Sequence, residues 1–464
     1  MNQPVKILQF GKGNFLRAFT GWMTDVLNER TAFNGAIQIV QVNSAETDDR
    51  FDVQEGLYHI VINGISNAKP FRHIRLIKCV TGVINPRAQY NAFLKTAENP
   101  DLQFIVSNTT EAGLKFEPSD KIFGECQNSF PGKLAAWLYH RYRFFGGDPL
   151  RTVTVLPCEL IEHNGKVLRD LIQQYIAHWQ LEDGFAKWIT DHTLFCNTLV
   201  DRIVPGFPRD EINKIWDDLG FEDYLVVAAE PYHLWVIEPM GFPGFTIDKL
   251  RAALPLDRAD LNVRFVSDLA GYRTRKVRIL NGAHTCMVSI GYLRGLRTVK
   301  EAVEDTFTGD FISKAIHEEI IPTLDMPEKE LKQFAQDVME RFQNPYIRHE
   351  LKSIALNSVS KFQVRVLPTM LDYFQRTNRV PQRLSYALAC LIVFYKGQWK
   401  GEPLPVNDTP EVVNFFGSAW ENADAGRVTQ MVLSNADLWK QDLTKLQGWG
   451  HTVRTHLQEI LENE

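Results

Sequence analysis

The amino-acid sequence predicts an α/β protein: a Rossmann-type, doubly wound N-terminal domain followed by a mainly α-helical C-terminal domain. Three observations support this fold class. A short apolar run ends at two glycines and leads into an amphipathic stretch, strand and helix patterns alternate through about the first 110 residues, and helical patterns dominate from about Val277 onward. Alternating strands and helices are typical of a parallel sheet covered on both faces. We expect the domains to span residues 1–272 and 273–464.

Composition restricts the class of protein. The 464 residues are 44% hydrophobic and 23% charged, as in ordinary globular proteins of two or three domains. A net charge of −5 with interspersed signs argues against a nucleic-acid or anionic-membrane partner. There is no signal-peptide pattern, no membrane-spanning apolar run, no C-x-x-C and no H-E-x-x-H. We therefore expect a cytoplasmic monomer or small homo-oligomer, with free thiols and no metal, that acts on a small molecule.

The first strand–turn–helix unit predicts a dinucleotide site. Residues 7–19 read ILQFGKGNFLRAF, with one residue between the two glycines. Glycines allow a tight turn and close approach of the backbone to a pyrophosphate, and a helix N-terminus attracts anions. Leu16 replaces the third glycine of G-x-G-x-x-G, so an ordinary strand–turn–helix is the alternative. The predicted cofactor-binding residues of this turn are Gly11, Gly13, Asn14 and Phe15.

The later strands predict where the rest of the cofactor binds. Residues 36–42, 104–106 and 152–156 are strand-like, and ligands of such sheets lie beyond the carboxyl ends of the strands. Asn43 follows the second strand, where an adenosine ribose would be bound. No Arg or Lys immediately follows that strand to bind a 2′-phosphate, which favours NAD over NADP. Thr109 and Thr110 follow the next strand and are predicted to line the nicotinamide pocket, with a helix N-cap as the alternative.

The run from Lys276 to His284, KVRILNGAH, carries candidate catalytic groups. On a regular α-helix Lys276, His284 and Asn281 fall at roughly 0°, 80° and 140°, so all three can face one cleft. Ketone reduction or alcohol oxidation needs such a set, in which one group exchanges a proton, one stabilises an alkoxide and one orients the substrate. A solvated helix face is the alternative for the set, and a core histidine is the alternative for His284.

Two of these patterns, G-x-G-x-F-x-R-A-F and K-x4-N-x2-H, resemble the polyol-specific long-chain dehydrogenases, the family of mannitol dehydrogenase and the hexuronate reductases. The resemblance runs from end to end, and residues 107–113, 157–165 and 199–204 are more similar to the hexuronate reductases. It implies the two-domain fold, NAD, no metal, and Lys276 as the general acid/base. It further implies a catalytic set completed by Asn281, His284, a second amide at Asn164, and Asp201 beside the lysine.

Two of these implied residues have simpler interpretations. Asn164 and Gly165 are equally consistent with a type I′ turn. Asp201 is also consistent with an ion pair to Arg202 or with a turn cap.

Departures from the polyol-enzyme pattern predict that the substrate differs from a polyol at the end these residues would bind. Their R-x3-D-x3-K pattern reads Ser353, Asn357 and Lys361 here, and Arg273 stands where mannitol dehydrogenase has a glutamate associated with proton passage. Loss of the Arg and Asp favours a six-carbon sugar acid over a polyol. A polyol dehydrogenase and a non-catalytic dinucleotide-sensing protein remain the alternatives.

A sugar acid needs a cation for its carboxylate, ideally a bidentate arginine. The candidates are Lys361, our first choice, Arg365 and Arg348.

Overall fold

A computed structural model describes residues 3–42, 49–242, 244–421 and 423–464, with the backbone alone at Glu111. The chain forms two compact units, residues 1–63 with 70–269 and residues 64–69 with 270–464. Among the described residues, no helix is both long enough and apolar enough to cross a membrane. All six cysteines are free thiols.

Strands make up the centre of the first unit. In chain order they are β1 (Val5–Phe10), β2 (Ala36–Val40), β3 (Tyr58–Ser66), β4 (Lys69–Ile77), β5 (Val80–Ile84), β6 (Phe104–Ser107), β7 (Thr154–Pro157), β8 (Leu194–Asp201), β9 (Val227–Ala229), β10 (Leu234–Met240) and β11 (Val263–Phe265). The main sheet of the described chain has the order β5-β2-β1-β6-β7-β8-β10-β11, and a smaller sheet has the order β4-β3-β9.

The main sheet reverses its strand order at β1. From β5 to β8 all neighbouring strands are parallel, and only β10 runs antiparallel to its neighbour β8. Since β2 lies on one side of β1 and β6 on the other, the carboxyl end of β1 is the switch point at which sheets of this kind bind ligands. This topology confirms the predicted doubly wound fold.

Both faces of this sheet are covered. Ile7 of β1 packs in one hydrophobic core and the next residue, Leu8, packs in the other. In β6, Phe104 and Val106 point to the first core and Ile105 points to the second. Because successive side chains of a strand point to opposite faces, β1 and β6 place apolar side chains on both faces, as expected for a parallel sheet buried on both sides.

Helices surround this sheet and make up most of the second unit. Those of the first unit are Asn14–Leu16 and Trp22–Arg30, joined by the π turn Arg17–Gly21, then Arg50–Val53, Tyr90–Lys95, Phe130–Phe144, Asn164–His178, Asp183–His192, Ile212–Leu219 and Ile247–Ala253. Those of the second unit are Ala270–Arg275, Gly282–Leu293, Val299–Glu304, Thr306–Lys314, Glu328–Phe342, Leu351–Ile354, Ser358–Arg365, Leu367–Thr377, Gln382–Phe394, Pro410–Trp420, Ala425–Ser434, Ala436–Trp439 and Trp449–Leu461, with a small hairpin of β12 (Gln398–Trp399) and β13 (Glu402–Pro403).

Helix Gln382–Phe394 is the core of the second unit. Its residues 387–394 are each at most 1% exposed, which means that the helix is apolar on all sides and must be surrounded. It packs against Gly282–Leu293 and Trp449–Leu461. The buried Glu319 carboxylate accepts hydrogen bonds from the backbone N–H groups of Arg383 and Leu384, both at 2.9 Å. It therefore supplies acceptors for N–H groups in the first turn, which have no partner within the helix.

His233 joins two segments of the first unit. Its Nε2 accepts a hydrogen bond from the Asn262 N–H at 3.0 Å, and its Nδ1 lies 3.1 Å from the Pro231 carbonyl oxygen. A backbone N–H only donates and a carbonyl only accepts, so these partners select the neutral ring with its proton on Nδ1. Burial is the main cause that lowers the pKa of His233 from 6.5 to about 4.

This lowered pKa predicts an acid-dependent loss of stability. As the pH falls below 6.5, the unfolded state takes up a proton that the folded state binds only near pH 4. Between pH 7 and pH 5 the free energy of unfolding of the wild type should therefore fall by up to about 2 kcal/mol more than that of His233→Gln. Urea unfolding of both proteins at the two pH values measures this difference, and identical pH dependence would contradict it.

Candidate active site

The turn after β1 requires glycine at position 11. Gly11 has φ +121°, a conformation that residues with a side chain rarely adopt. Its N–H donates to the Val40 carbonyl oxygen at 2.9 Å. A Cβ on Gly11 would also lie only 3.3 Å from the Asn108 carbonyl oxygen. The turn is therefore held between β2 and the loop that follows β6.

Gly13 opens into free space. It precedes the helix that begins at Asn14, and apart from its two chain neighbours no described residue has an atom within 4 Å of the place where its Cβ would be. The first N–H groups of a helix have no partner within the helix and carry a partial positive charge. Open space at a helix start with a glycine backbone is the arrangement that binds phosphate groups, so these residues fit a dinucleotide pyrophosphate.

Asn14 and Phe15 are both held by the helix that they begin. The Asn14 Oδ1 accepts a hydrogen bond from Arg17 at 2.6 Å, and Arg17 also donates to the Leu225 carbonyl. The partly buried Phe15 stacks on Phe19, with ring centroids 4.9 Å apart. The predicted ribose residue Asn43 lies outside the described residues.

The loop after β6 is fastened by a glutamate that sequence reasoning did not select. The Glu159 Oε1 accepts hydrogen bonds from the Thr109 N–H at 2.9 Å and the Thr109 hydroxyl at 3.1 Å, and its Oε2 accepts one from the Ser107 hydroxyl at 3.1 Å. Glu159 is 2% exposed. Burial raises the pKa of its carboxyl, and these donors partly oppose the shift. Thr110 makes no side-chain cap bond to the turn that it precedes.

Asn164 lies at the start of helix Asn164–His178 and not in a type I′ turn. Its Nδ2 is 3.0, 3.0 and 3.1 Å from the carbonyl oxygens of Pro157, Glu159 and Thr198, and its Oδ1 accepts from the N–H groups of Gly165 and Thr198, both at 2.9 Å. This buried amide therefore ties the loop after β7 to β8. To donate to a substrate it would have to exchange one of these backbone bonds.

Asp201 is the last residue of β8, where it pairs with Leu234 of β10, and it is 6% exposed. The guanidinium of the neighbouring Arg202 donates to the carbonyl oxygens of Ala18 at 2.6 Å and Glu230 at 3.0 Å, and it lies 4.2 Å from the Trp22 ring centroid. Burial lowers the pKa of Arg202 to about 9. Backbone carbonyls and an aromatic face thus surround the Arg202 charge.

In the second unit, Lys276 begins a π turn and not a regular α-helical turn. The π turn Lys276–Asn281 joins helix Ala270–Arg275 to helix Gly282–Leu293. Its hydrogen bonds run from residue i to i+5, which brings Asn281 nearly above Lys276. His284 lies three residues further along an α-helix, which places it beside Asn281. The three side chains therefore share one face more closely than the predicted α-helical spacing would allow.

Two members of this set have defined surroundings. The ring of His284 stacks on Phe342, with centroids 4.3 Å apart, and meets His349 edge-on at 5.1 Å. Asn281 is partly buried, and its backbone carbonyl accepts a hydrogen bond from the Thr285 hydroxyl at 2.8 Å. Within the part of the chain that the structure describes, no residue hydrogen-bonds to the Asn281 side-chain amide. That amide can therefore bind a ligand without breaking a bond in the protein.

Helix Ser358–Arg365 carries two of the three candidate carboxylate-binding cations. It packs against both the π turn and helix Gly282–Leu293, and a Cβ on Gly282 would lie 3.4 Å from the Arg365 carbonyl oxygen. The Lys361 Nζ donates to the Ile354 carbonyl oxygen at 2.8 Å. The pKa of Lys361 is lowered by burial and by the charge of Arg365.

The third candidate, Arg348, is a surface residue. Its side chain is 83% exposed and pairs with Glu350 at 2.6 Å. Arg365 is partly buried, and burial lowers its pKa. None of the described residues forms a hydrogen bond or an ion pair with the Arg365 guanidinium. Nor do any three described His, Cys, Asp or Glu side chains form a group that could hold a metal ion.

The N-terminal and the C-terminal part of the chain match models of two domains of the same protein family. A family model described as the mannitol dehydrogenase Rossmann domain matches residues 5–249, and one described as the mannitol dehydrogenase C-terminal domain matches residues 268–461. The chain is 43% identical over 461 residues to altronate oxidoreductase of Bacillus subtilis strain 168, covering 99% of this chain and 93% of that protein. It is 41% identical over 468 residues to altronate oxidoreductase of Yersinia enterocolitica, covering 100% and 95%.

Solved structures share the fold. D-sorbitol dehydrogenase in substrate-free form matches with a TM-score of 0.80 at 23% identity, covering 99% of this chain and 94% of that one. Pseudomonas fluorescens mannitol 2-dehydrogenase, in a ternary complex with NAD and D-mannitol, matches with a TM-score of 0.66 at 21% identity, covering 100% and 93%. At these identities the likeness concerns the fold alone.

Substitution by alanine should change the free energy of unfolding at one glycine of the turn and not at the other. Gly11→Ala should lower the free energy of unfolding by about 1–3 kcal/mol, because φ is positive and the Asn108 carbonyl is close. Gly13→Ala should leave it nearly unchanged, because its φ of −64° suits any residue and the space beside it is open. Thermal or urea unfolding of the pair measures the difference, and equal losses would refute this account of the turn.

Proposed function

Because this chain belongs to the mannitol dehydrogenase family, we propose that it is an NAD-dependent altronate oxidoreductase, which interconverts D-tagaturonate and D-altronate. The observation that carries the proposal is 43% identity over 99% of the chain to an altronate oxidoreductase. The amine, amide and imidazole on one face of the segment 276–284 suit this reaction at a secondary alcohol. Fructuronate reduction and polyol oxidation are the competing activities within the family.

The cofactor side of the proposal depends on the turn after β1. Gly11, Gly13 and the helix start at Asn14 would hold the pyrophosphate of NAD, and Thr109 and Thr110 would lie toward the nicotinamide. The dinucleotide, when bound, supplies the hydride for reduction and accepts it for oxidation. A mannitol 2-dehydrogenase of the same fold was solved with NAD, which supports this choice of cofactor.

We assign the proton transfer to and from the substrate oxygen to Lys276. When the ketone is reduced its oxygen becomes an alkoxide, which takes a proton from the Lys276 ammonium; in oxidation the neutral amine removes that proton from the hydroxyl. Asn281 donates its amide hydrogen to the developing alkoxide, a contribution on the order of a hundred-fold in rate. His284, fixed between Phe342 and His349, orients the substrate. Asn164 and Asp201 remain predicted members of this set.

The carboxylate of the sugar acid is assigned to Arg365 and not to Lys361, our first choice from the sequence. Lys361 already donates to the Ile354 carbonyl oxygen, and Arg348 already pairs with Glu350 in solvent. A partly buried guanidinium is stable when an anion pairs with it. Arg365 lies on the helix that packs against the π turn of Lys276, and its planar fork suits a carboxylate.

Turnover of three ketones tests the activity. With NADH, the wild type should reduce D-tagaturonate much faster than D-fructuronate or D-fructose. Lys276→Ala should lower kcat by roughly a hundred- to ten-thousand-fold, since the general acid is lost, and should still bind NADH. NADH oxidation followed by absorbance measures both. Preference for D-fructuronate or D-fructose would refute the substrate, and full activity of Lys276→Ala would refute the acid/base.

Substitution of three cations tests carboxylate recognition. Arg365→Leu should lower kcat/KM for D-tagaturonate by about ten- to a hundred-fold, because a charged hydrogen-bonded pair is lost. Arg348→Leu is the matched control and should match the wild type, since that side chain is exposed and paired to Glu350. Lys361→Met should have a smaller effect than Arg365→Leu. Steady-state kinetics measures all three, and a larger loss for Lys361→Met would restore the lysine as the carboxylate ligand.

A further inference from the structure

We propose that Glu159 is a positioning residue for the cofactor: its buried carboxylate holds residues 107–110, the loop after β6, in the conformation that receives the dinucleotide. The inference rests on the proposed NAD-dependent function. It assigns no chemical step to Glu159, which would act through the loop.

The carboxylate and this loop depend on each other. Both oxygens of Glu159 accept hydrogen bonds from the loop: Oε1 from the N–H and hydroxyl of Thr109, and Oε2 from the Ser107 hydroxyl. A carboxylate that is 2% exposed is tolerated only when it is hydrogen-bonded. Since Ser107 and Thr109 supply these bonds, a different loop conformation would leave the buried oxygens without donors. The native loop is therefore strongly preferred.

The same loop forms the wall of the glycine turn. The Asn108 N–H donates to the Phe10 carbonyl oxygen at 3.3 Å, and the Asn108 side chain donates to the Cys158 carbonyl oxygen at 2.6 Å. The Asn108 carbonyl oxygen lies 3.3 Å from the Cβ position of Gly11. A shift of Thr109 would therefore move its neighbour Asn108 against Gly11 and change the turn proposed to bind the pyrophosphate.

The backbone of Glu159 is also fixed by hydrogen bonds. Its carbonyl oxygen accepts hydrogen bonds from the Asn164 Nδ2 at 3.0 Å and from the Ile161 N–H at 2.8 Å. Asn164 is in turn bonded to Thr198 of β8. The Glu159 carboxylate thus connects the loop after β6, through Asn164, to β8, in addition to the bond between Asn108 and Cys158.

Glu319 offers a matched control. It is 3% exposed, burial raises the pKa of its carboxyl as it does for Glu159, and it also accepts backbone N–H bonds. Its partners, however, begin the core helix Gln382–Phe394 of the second unit. Removal of this carboxylate therefore tests the stability cost of a buried glutamate without touching the loop after β6.

The test measures NADH affinity by fluorescence titration, alongside thermal unfolding and kcat. Glu159→Leu is of similar size but removes every side-chain acceptor, so the Kd for NADH should rise about ten-fold or more, a larger change than the change in kcat at saturating NADH. Glu159→Gln can accept from Thr109 and donate to the Ser107 hydroxyl, so its Kd should stay within about three-fold of wild type. Glu319→Leu should lower the Tm and leave the Kd unchanged.

Three results with the variants would overturn the inference. One is a Glu159→Leu variant that loses thermal stability but binds NADH as tightly as wild type. Another is a Glu319→Leu variant that weakens NADH binding equally. If Glu159→Leu does not fold, Ser107→Ala removes one donor, and an unchanged Kd there is the third. A wild type that binds NADH but does not reduce D-tagaturonate refutes only the proposed activity, whereas a wild type that does not bind NADH refutes both.

Discussion

The carboxyl edge of the main sheet depends on buried polar side chains that satisfy backbone groups where the strands end. Chains leaving a sheet carry N–H and C=O groups without strand partners, and burying them unpaired is costly. Asn164 bonds to backbone groups of the segment after β7 and of β8, and Arg202 donates to two carbonyls. Glu230 accepts from the Ile203 N–H at 2.6 Å. These hydrogen bonds hold the loops at the carboxyl edge of the sheet, where the dinucleotide is proposed to bind.

A π turn occurs in each unit where the candidate residues lie. Arg17–Gly21 follows the glycine turn, and Lys276–Asn281 carries the candidate proton donor and amide. A π turn inserts one residue into a helix at the cost of weaker local hydrogen bonding, and it often occurs at functional sites. In the second unit the π turn brings Asn281 nearly above Lys276, whereas a regular α-helix would place these two side chains roughly 140° apart.

The two family matches confirm the predicted enzyme class, a dehydrogenase or reductase of the mannitol dehydrogenase family. The proposed substrate end rests on the resemblance to the polyol enzymes. Ser353 and Asn357 stand where that resemblance implies Arg and Asp, and we propose Arg365 as the cation for the carboxylate. A sugar acid needs a cation for its carboxylate. The proposed preference for a sugar acid thus depends on a few side chains between residues 353 and 365, on two successive helices.

The sequence by itself determined the features that arise from neighbouring residues. Glycine spacing, strand–helix alternation and the Lys-Asn-His run are local patterns, so they predicted the doubly wound domain, the turn at Gly11 and Gly13, and the candidate face of helix 276–284. Tertiary structure alone decided the long-range partners. Thr109 and Glu159 are 50 residues apart, and Asn164 and Thr198 are 34 apart. Such contacts arise only when distant segments pack, and no local periodicity encodes them.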